Sequence, residues 1–300
     1  MTQSEFEQFN ARFNAQSKQA YEKLLNVLAQ VMRASSPLPT TDVGNRERLS
    51  VAQGLSNKFI EHAVTILYLS RGTNLVLPSF RFSFVDLVSM NVLTRASFEA
   101  FLTFHHVFYS PLTKDEADYR YWMYKAAGAL ERHDFPTVIG KFEQTRLEDE
   151  EELTQLREKL KPNAIFQSLT EAQRTRFFAG KELNLWRWDP DSKKVLSWSG
   201  IAIHAKLSEV LASHTYRLLA GRAHSSFLSV LQSVETRKSG SQEEDIIVTT
   251  SIINIVMANM VREYCELFPK AQEALSKDRE GSGIVNWWIL MGRTLDEFNK

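Results

Sequence analysis

Residues 83–109 read Ser-Phe-Val-Asp-Leu-Val-Ser-Met-Asn-Val-Leu-Thr-Arg-Ala-Ser-Phe-Glu-Ala-Phe-Leu-Thr-Phe-His-His-Val-Phe-Tyr. The stretch is mostly apolar or aromatic and contains neither Gly nor Pro, which predicts a core helix. Asn91, Arg95, Glu99, Thr103 and His106 recur at offsets of four, four, four and three. At about 100° per residue they fall within an arc of about 120°. One polar stripe therefore runs down an apolar cylinder. A charge carried into a core must be paired or bear a large desolvation cost, so the stripe needs a partner.

Ser213–Val234 offers one. His214, Arg217, Gly221, His224 and Ser225 share a helical face within an arc of about 100°, and the expectation is that the two polar stripes meet. Arg95 and Glu99 at i,i+4 suit an ion pair that fixes helix packing, or an anion site in which Glu99 orients Arg95 and His106 moves a proton. Asn91 and His214 are candidate supporting residues on the two stripes. Arg217 and His224 project to one side two turns apart. That pair suits phosphodiester cleavage: Arg stabilises charge developing on the phosphate, and His transfers a proton near neutral pH.

Outward from these two helices the chain reads as helical. Amphipathic spacing predicts helices over 4–33 and 45–71, broken by the Ser35–Thr41 stretch and closed by Gly72 as a left-handed cap. Leu75–Arg81 reads as a short extended linker through Pro78. Thr113 with Glu116 forms a capping box for a helix over 114–134, and a further helix spans 137–161. The acidic run Glu148–Glu152 near its start and the lysines at its end match the helix dipole, which points to a solvated face. Asp189-Pro190-Asp191 lies between aromatic-bearing runs, so Leu183–Trp188 and Lys194–Trp198 are candidate strands of a small hairpin. Trp186, Trp188 and Trp198 there could stack on bases, although packing a small core is the simpler role. Helices resume at 201–211, 213–234, 243–267 and 284–298, the last bringing Trp287 and Trp288 to the surface or to a partner. The expected fold is all-α: one domain over 1–300 with eight to ten helices, an N-terminal helix as a peripheral arm and an irregular insertion at 180–199.

Composition narrows the function. Among 300 residues, 36 basic and 36 acidic side chains cancel, so no global electrostatic footprint marks a nucleic-acid or anionic-membrane binder. The single cysteine, Cys265, excludes an intrachain disulfide. The polar, acidic N-terminus lacks the pattern of a secretory signal, and the apolar run Ile246–Met260 is too short to span a bilayer. A cytoplasmic protein without membrane contact is expected. There is no phosphate-binding glycine loop, no His-Glu-x-x-His, no Cys-x-x-Cys pair and no Gly-x-Ser-x-Gly elbow. No cofactor or metal is called for.

The late helix with Arg-x6-His in an all-helical chain resembles the HEPN superfamily of metal-independent endoribonucleases. The stretches Thr-Arg-Ala-Ser-Phe-Glu-Ala and Tyr-Arg-Leu-Leu-Ala-Gly-Arg-Ala-His-Ser are also similar to a group of uncharacterised bacterial helical proteins. The resemblance covers about 50 residues. It implies that Arg217 and His224 form a catalytic pair set opposite a second copy in a homodimer, with RNA as substrate. It further implies a toxin or anti-phage defence effector, with a regulatory protein as a further partner. The family often has a polar residue directly after the Arg, where this chain has Leu218. Arg222 points some 140° from Arg217 and is a candidate RNA-backbone contact. The rival expectation is a non-catalytic helical interaction module in which Arg95, Glu99, Arg217 and His224 form a buried network specifying the fold; the zero net charge fits it better.

Overall fold

A computed structural model describes residues 3–36, 43–133, 141–223, 227, 230, 231, 234 and 242–296, with the side chains of 3–16, 43, 141–143, 222 and 223 outside the description. Among the described residues there are twelve α-helices and two two-stranded antiparallel sheets. The fold is all-α. The chain forms two compact units, one from residues 1–104 and 202–300 and the other from 105–201, a division that hydrophobic periodicity could not show.

The first unit contains α1 (Gln3–Ala34), α2 (Val43–Ser70), a hairpin of β1 (Thr73–Leu77) and β2 (Phe80–Phe84), and α3 (Leu87–Phe104). After residue 202 it is completed by a π-helical turn (Val210–Thr215), α9 (Tyr216–Ala223), α10 (Gln242–Leu267), α11 (Pro269–Lys277) and α12 (Arg279–Thr294). Its central helix is α10 rather than the 83–109 stretch. Every residue from Thr249 to Val261 on α10 is buried, so protein must surround it on all faces, and α1, α3, α11 and α12 do so. As a whole α10 is long and apolar enough to cross a bilayer, where the run 246–260 alone is not; 78% of its apolar window is buried within the protein.

Burying α10 all round requires its polar side chains to find partners. Asn254 Nδ2 donates to the Ser17 carbonyl at 2.8 Å, the Ser17 hydroxyl lies 2.9 Å from Ser251 Oγ and 3.2 Å from Thr250 Oγ1, and Asn259 Nδ2 donates to the Ile255 carbonyl at 2.9 Å. The second half of α1, with Ser17, Tyr21, Leu24 and Leu28 buried, is therefore core and not a peripheral arm. Trp288 on α12 is also fully buried, so it does not reach the surface.

Gly72 has φ +86° and ends α2 in the left-handed cap that its sequence predicts. The segment after it is the hairpin and not a linker. Pro78 and Ser79 form its two-residue turn, and Leu75 pairs with Phe82, Leu77 with Phe80 and Thr73 with Phe84. Asp86 then caps α3, accepting from the Ser89 backbone at 3.0 Å and from its hydroxyl at 2.6 Å, so α3 starts a few residues later than the apolar pattern.

The second unit contains a π-helical turn (His105–Tyr109), α4 (Lys114–His133), α5 (Lys141–Leu160), α6 (Ala164–Ser168), α7 (Glu171–Phe178), a 3-10 turn (Leu183–Arg187), the two-residue strands β3 (Trp188–Asp189) and β4 (Lys194–Val195), and the first four residues of α8 (Trp198–His204), whose last three belong to the first unit. The expected hairpin near 183–198 is present in short form. At the start of α4, Glu116 N–H donates to Thr113 Oγ1 at 3.1 Å while the Glu116 carboxylate accepts from Leu112 N–H at 2.9 Å. The acidic run is less solvated than its sequence suggests: Asp149 is buried and paired with Arg132, and Glu152 lies 2.6 Å from Lys125. Trp186 and Trp188 are buried, Trp186 edge-on to Tyr124 and Trp198.

Two glycines of α12 separate packing from helix propensity. A Cβ at Gly292 would stand 2.3 Å from Ile255 Cγ2, whereas a Cβ at Gly283 meets nothing within 4 Å. In urea titrations Gly292→Ala is expected to lose about 1–3 kcal/mol through overpacking, and Gly283→Ala to gain about 0.5–1 kcal/mol.

Candidate functional site

The polar stripe of α3 does meet the late helix, but through a residue that lies on neither predicted stripe. Arg95 Nε donates to Glu99 Oε1 at 3.0 Å, Arg95 Nη2 donates to the Tyr216 hydroxyl at 3.2 Å, and that hydroxyl donates to Glu99 Oε1 at 2.8 Å. The three groups close a ring. The guanidinium also lies 5.4 Å from the centre of the Tyr216 ring, and Phe98 flanks the same ring at 6.3 Å. The Arg95 and Glu99 side chains are partly exposed, at 23% and 30%, so an isolated pair here would contribute well under 1 kcal/mol. Tyr216 makes it a cross-helix tie.

This geometry shifts two protonation equilibria. Partial burial works against the charge of Arg95, but the hydrogen bonds to Glu99 and Tyr216 outweigh it and hold the guanidinium above its ordinary value. Burial first, and then the Glu99 carboxylate that accepts from its hydroxyl, push the Tyr216 phenol above the usual tyrosine range.

Asn91 is buried, donates to the Leu87 carbonyl at 2.6 Å and accepts from Thr249 Oγ1 at 3.5 Å, so it serves the packing of α3 on α10. Arg217 and His214 are exposed. Arg222 has its backbone in α9, with its side chain outside the described residues, and His224 lies wholly outside them. His106 belongs to the second unit, where it is buried with Nε2 3.3 Å from the Trp186 carbonyl; its own carbonyl accepts from the buried Arg120 at 2.8 Å.

The reason for the mismatch is local. Val210–Thr215 is a π-helical turn, so the uniform advance of about 100° per residue that puts His214 and Arg217 on one face does not hold there. The face of α9 that meets α3 is centred on Tyr216 and the fully buried Leu219. Arg217 lies one residue, about 100°, away from Tyr216. The signal for Tyr216 is present in the Tyr-Arg-Leu-Leu stretch, as an aromatic hydroxyl heading an apolar face.

Outside this cluster, a cleft of about 420 Å³ in the second unit is lined by His133, Glu150, Arg157 and Phe178 among others, with His133 Nε2 3.3 Å from Glu150 Oε1. Burial pushes the Cys265 thiol up to about 12, which leaves it unreactive at neutral pH. Among the described residues no group of three or more His, Cys, Asp or Glu side chains is arranged to hold a metal ion. No protein-family model, curated protein or solved structure matches the chain.

Because the folded-state pKa of Tyr216 is raised, the stability it supplies is complete below the unfolded tyrosine value of about 10 and is lost as pH rises through the folded value. Tyr216→Phe is expected to cost about 1 kcal/mol at neutral pH. In urea titrations across pH 7–11 the gap between native and variant should narrow above pH 10. A gap that stays constant or widens would remove Tyr216 as the tie.

Proposed function

We propose that the chain is a helical interaction module whose Arg95–Glu99–Tyr216 ring fixes α9 against α3. The observation that carries this reading is the ring itself: Arg95, the charge best suited to hold an anion, is engaged with Glu99 and Tyr216 from its own unit. A hydrogen-bonded ion pair of this kind specifies helix register more readily than it binds a further ligand. The zero net charge of the sequence supports the same reading.

The second reading is a metal-independent endoribonuclease of HEPN type, acting as a toxin or defence effector. The exposure of Arg217 favours it, because a guanidinium in solvent on a helix tied down by its neighbour can reach a phosphate. His224 would then move the proton between the attacking 2′-hydroxyl and the leaving oxygen.

Total RNA and tRNA incubated with the full chain in EDTA separate the two. The interaction module leaves RNA intact, with native protein and with an Arg217→Ala/His224→Ala variant shown by circular dichroism to be folded. Cleavage by the native chain that is lost in the folded variant would overturn the module and establish the nuclease.

A further inference from the structure

Along α5, Glu150, Leu153, Thr154 and Arg157 follow one another at i, i+3, i+4 and i+7, the spacing that brings side chains to one helix face. All four line the cleft of about 420 Å³ in the second unit, together with Leu130 and His133 of α4 and Phe178 at the end of α7. That volume suits a small molecule. The carboxylate and the guanidinium start two turns, roughly 10 Å, apart along the helix axis, beyond the i,i+4 separation at which helical ion pairs form. One end of the cleft is therefore acidic and the other basic.

Each charge is held in place without being neutralised. Arg157 Cζ lies 4.4 Å from the centre of the Phe178 ring, a cation–π contact that positions the guanidinium and leaves its N–H groups for an acceptor. The ring is itself fixed edge-on by Phe166 and Phe177. The helix neighbours of Arg157 at three and four residues are Leu153, Thr154, Leu160 and Lys161, none of them acidic, and its guanidinium makes no hydrogen bond or ion pair among the described residues. Arg132, Lys125 and Lys161 of the same helix pair all have carboxylate partners. At the acidic end His133 Nε2 and Arg146 Nε both approach Glu150 Oε1, at 3.3 and 3.6 Å. Its second oxygen, Oε2, accepts no hydrogen bond among the described residues. Leu130 and Leu153, each 8% exposed, supply the apolar lining between the two ends.

We propose that this cleft binds a small zwitterion, with its carboxylate on Arg157, its ammonium on Glu150 and a short aliphatic chain against the two leucines. Both charged side chains are in contact with solvent, so one contact alone binds weakly, and a ligand gains by engaging both. A phosphate ester or other dianion is opposed by Glu150, and a simple amine by Arg157. Allowing for a hydrogen bond at each end, a separation of about 10 Å leaves roughly 5 Å between the charged groups of the ligand, the reach of about three methylenes. The inference goes beyond the interaction-module reading and does not depend on it.

The test is isothermal titration calorimetry on the full chain with 4-aminobutanoate, butanoate, butylamine and inorganic phosphate. The native chain is expected to bind 4-aminobutanoate about tenfold or more tighter than either one-charge analogue, the effect of one additional charge-assisted contact, and tighter than phosphate. Arg157→Gln and Glu150→Gln, each shown by circular dichroism and cooperative melting to be folded, should abolish that preference. The first should bind 4-aminobutanoate no better than butylamine, and the second no better than butanoate. No saturable heat with 4-aminobutanoate at millimolar concentration, equal affinity for the three organic probes, a preference for phosphate, or unchanged affinity in either folded variant would overturn the site. The comparison of probes on the native chain decides the question even where a variant fails to fold.

Discussion

The first unit depends on one constraint: a helix buried on every face has to dispose of its own polar groups. Asn254 and Ser251 reach into α1, where the Ser17 hydroxyl and carbonyl receive them, and Asn259 turns back on its own helix. An apolar neighbour in place of Ser17 would leave buried hydroxyls on α10 without that bond, each costing about 1–3 kcal/mol. Dispersion and hydrophobic burial hold many helix arrangements equally well, but only a narrow range of positions along α1 satisfies Asn254 and Ser251 together. Polar side chains thus set the register of α1, and the apolar ones supply the affinity.

The same logic at lower stakes governs α9. Its described part is Tyr216–Ala223. Leu219 supplies burial, and Tyr216 ties its start to the ion pair on α3. In the second unit Arg120 plays a comparable part from a deeper site. It is 5% exposed and bonds to the His106 carbonyl, the Ser110 hydroxyl and Glu116. Burial lowers its pKa, and the carbonyl and hydroxyl oxygens together with the carboxylate offset that cost.

Long periodic helices are legible in the sequence because their boundaries carry chemistry: Gly72 with positive φ and the Thr113–Glu116 box. The β1–β2 hairpin is not legible in the same way, because Pro78 reads as a break in an extended linker. Yet Leu75 and Leu77 alternate with polar or smaller neighbours, as do Phe80, Phe82 and Phe84 across a two-residue turn, and that period of two is the available signal. Within the candidate site, Arg95 and Glu99 follow from spacing, whereas Tyr216 does not. A π-helical turn has no signature in hydrophobic periodicity, and it shifts every angle counted through it.

The first unit is assembled from two stretches of chain separated by 97 residues, 105–201, that form the second. On the ribosome α1, α2, the hairpin and α3 therefore emerge long before α10, the helix around which they pack. The second unit is one contiguous stretch, so its internal contacts do not wait for a later part of the chain. Until Gln242–Leu267 arrives, the faces of α1 and α3 that pack on it lack that partner, and α2 is the helix available to both. Late closure over such a sequence separation makes for slow folding and a long-lived apolar intermediate. During synthesis the apolar faces that wait for α10 are therefore open to aggregation.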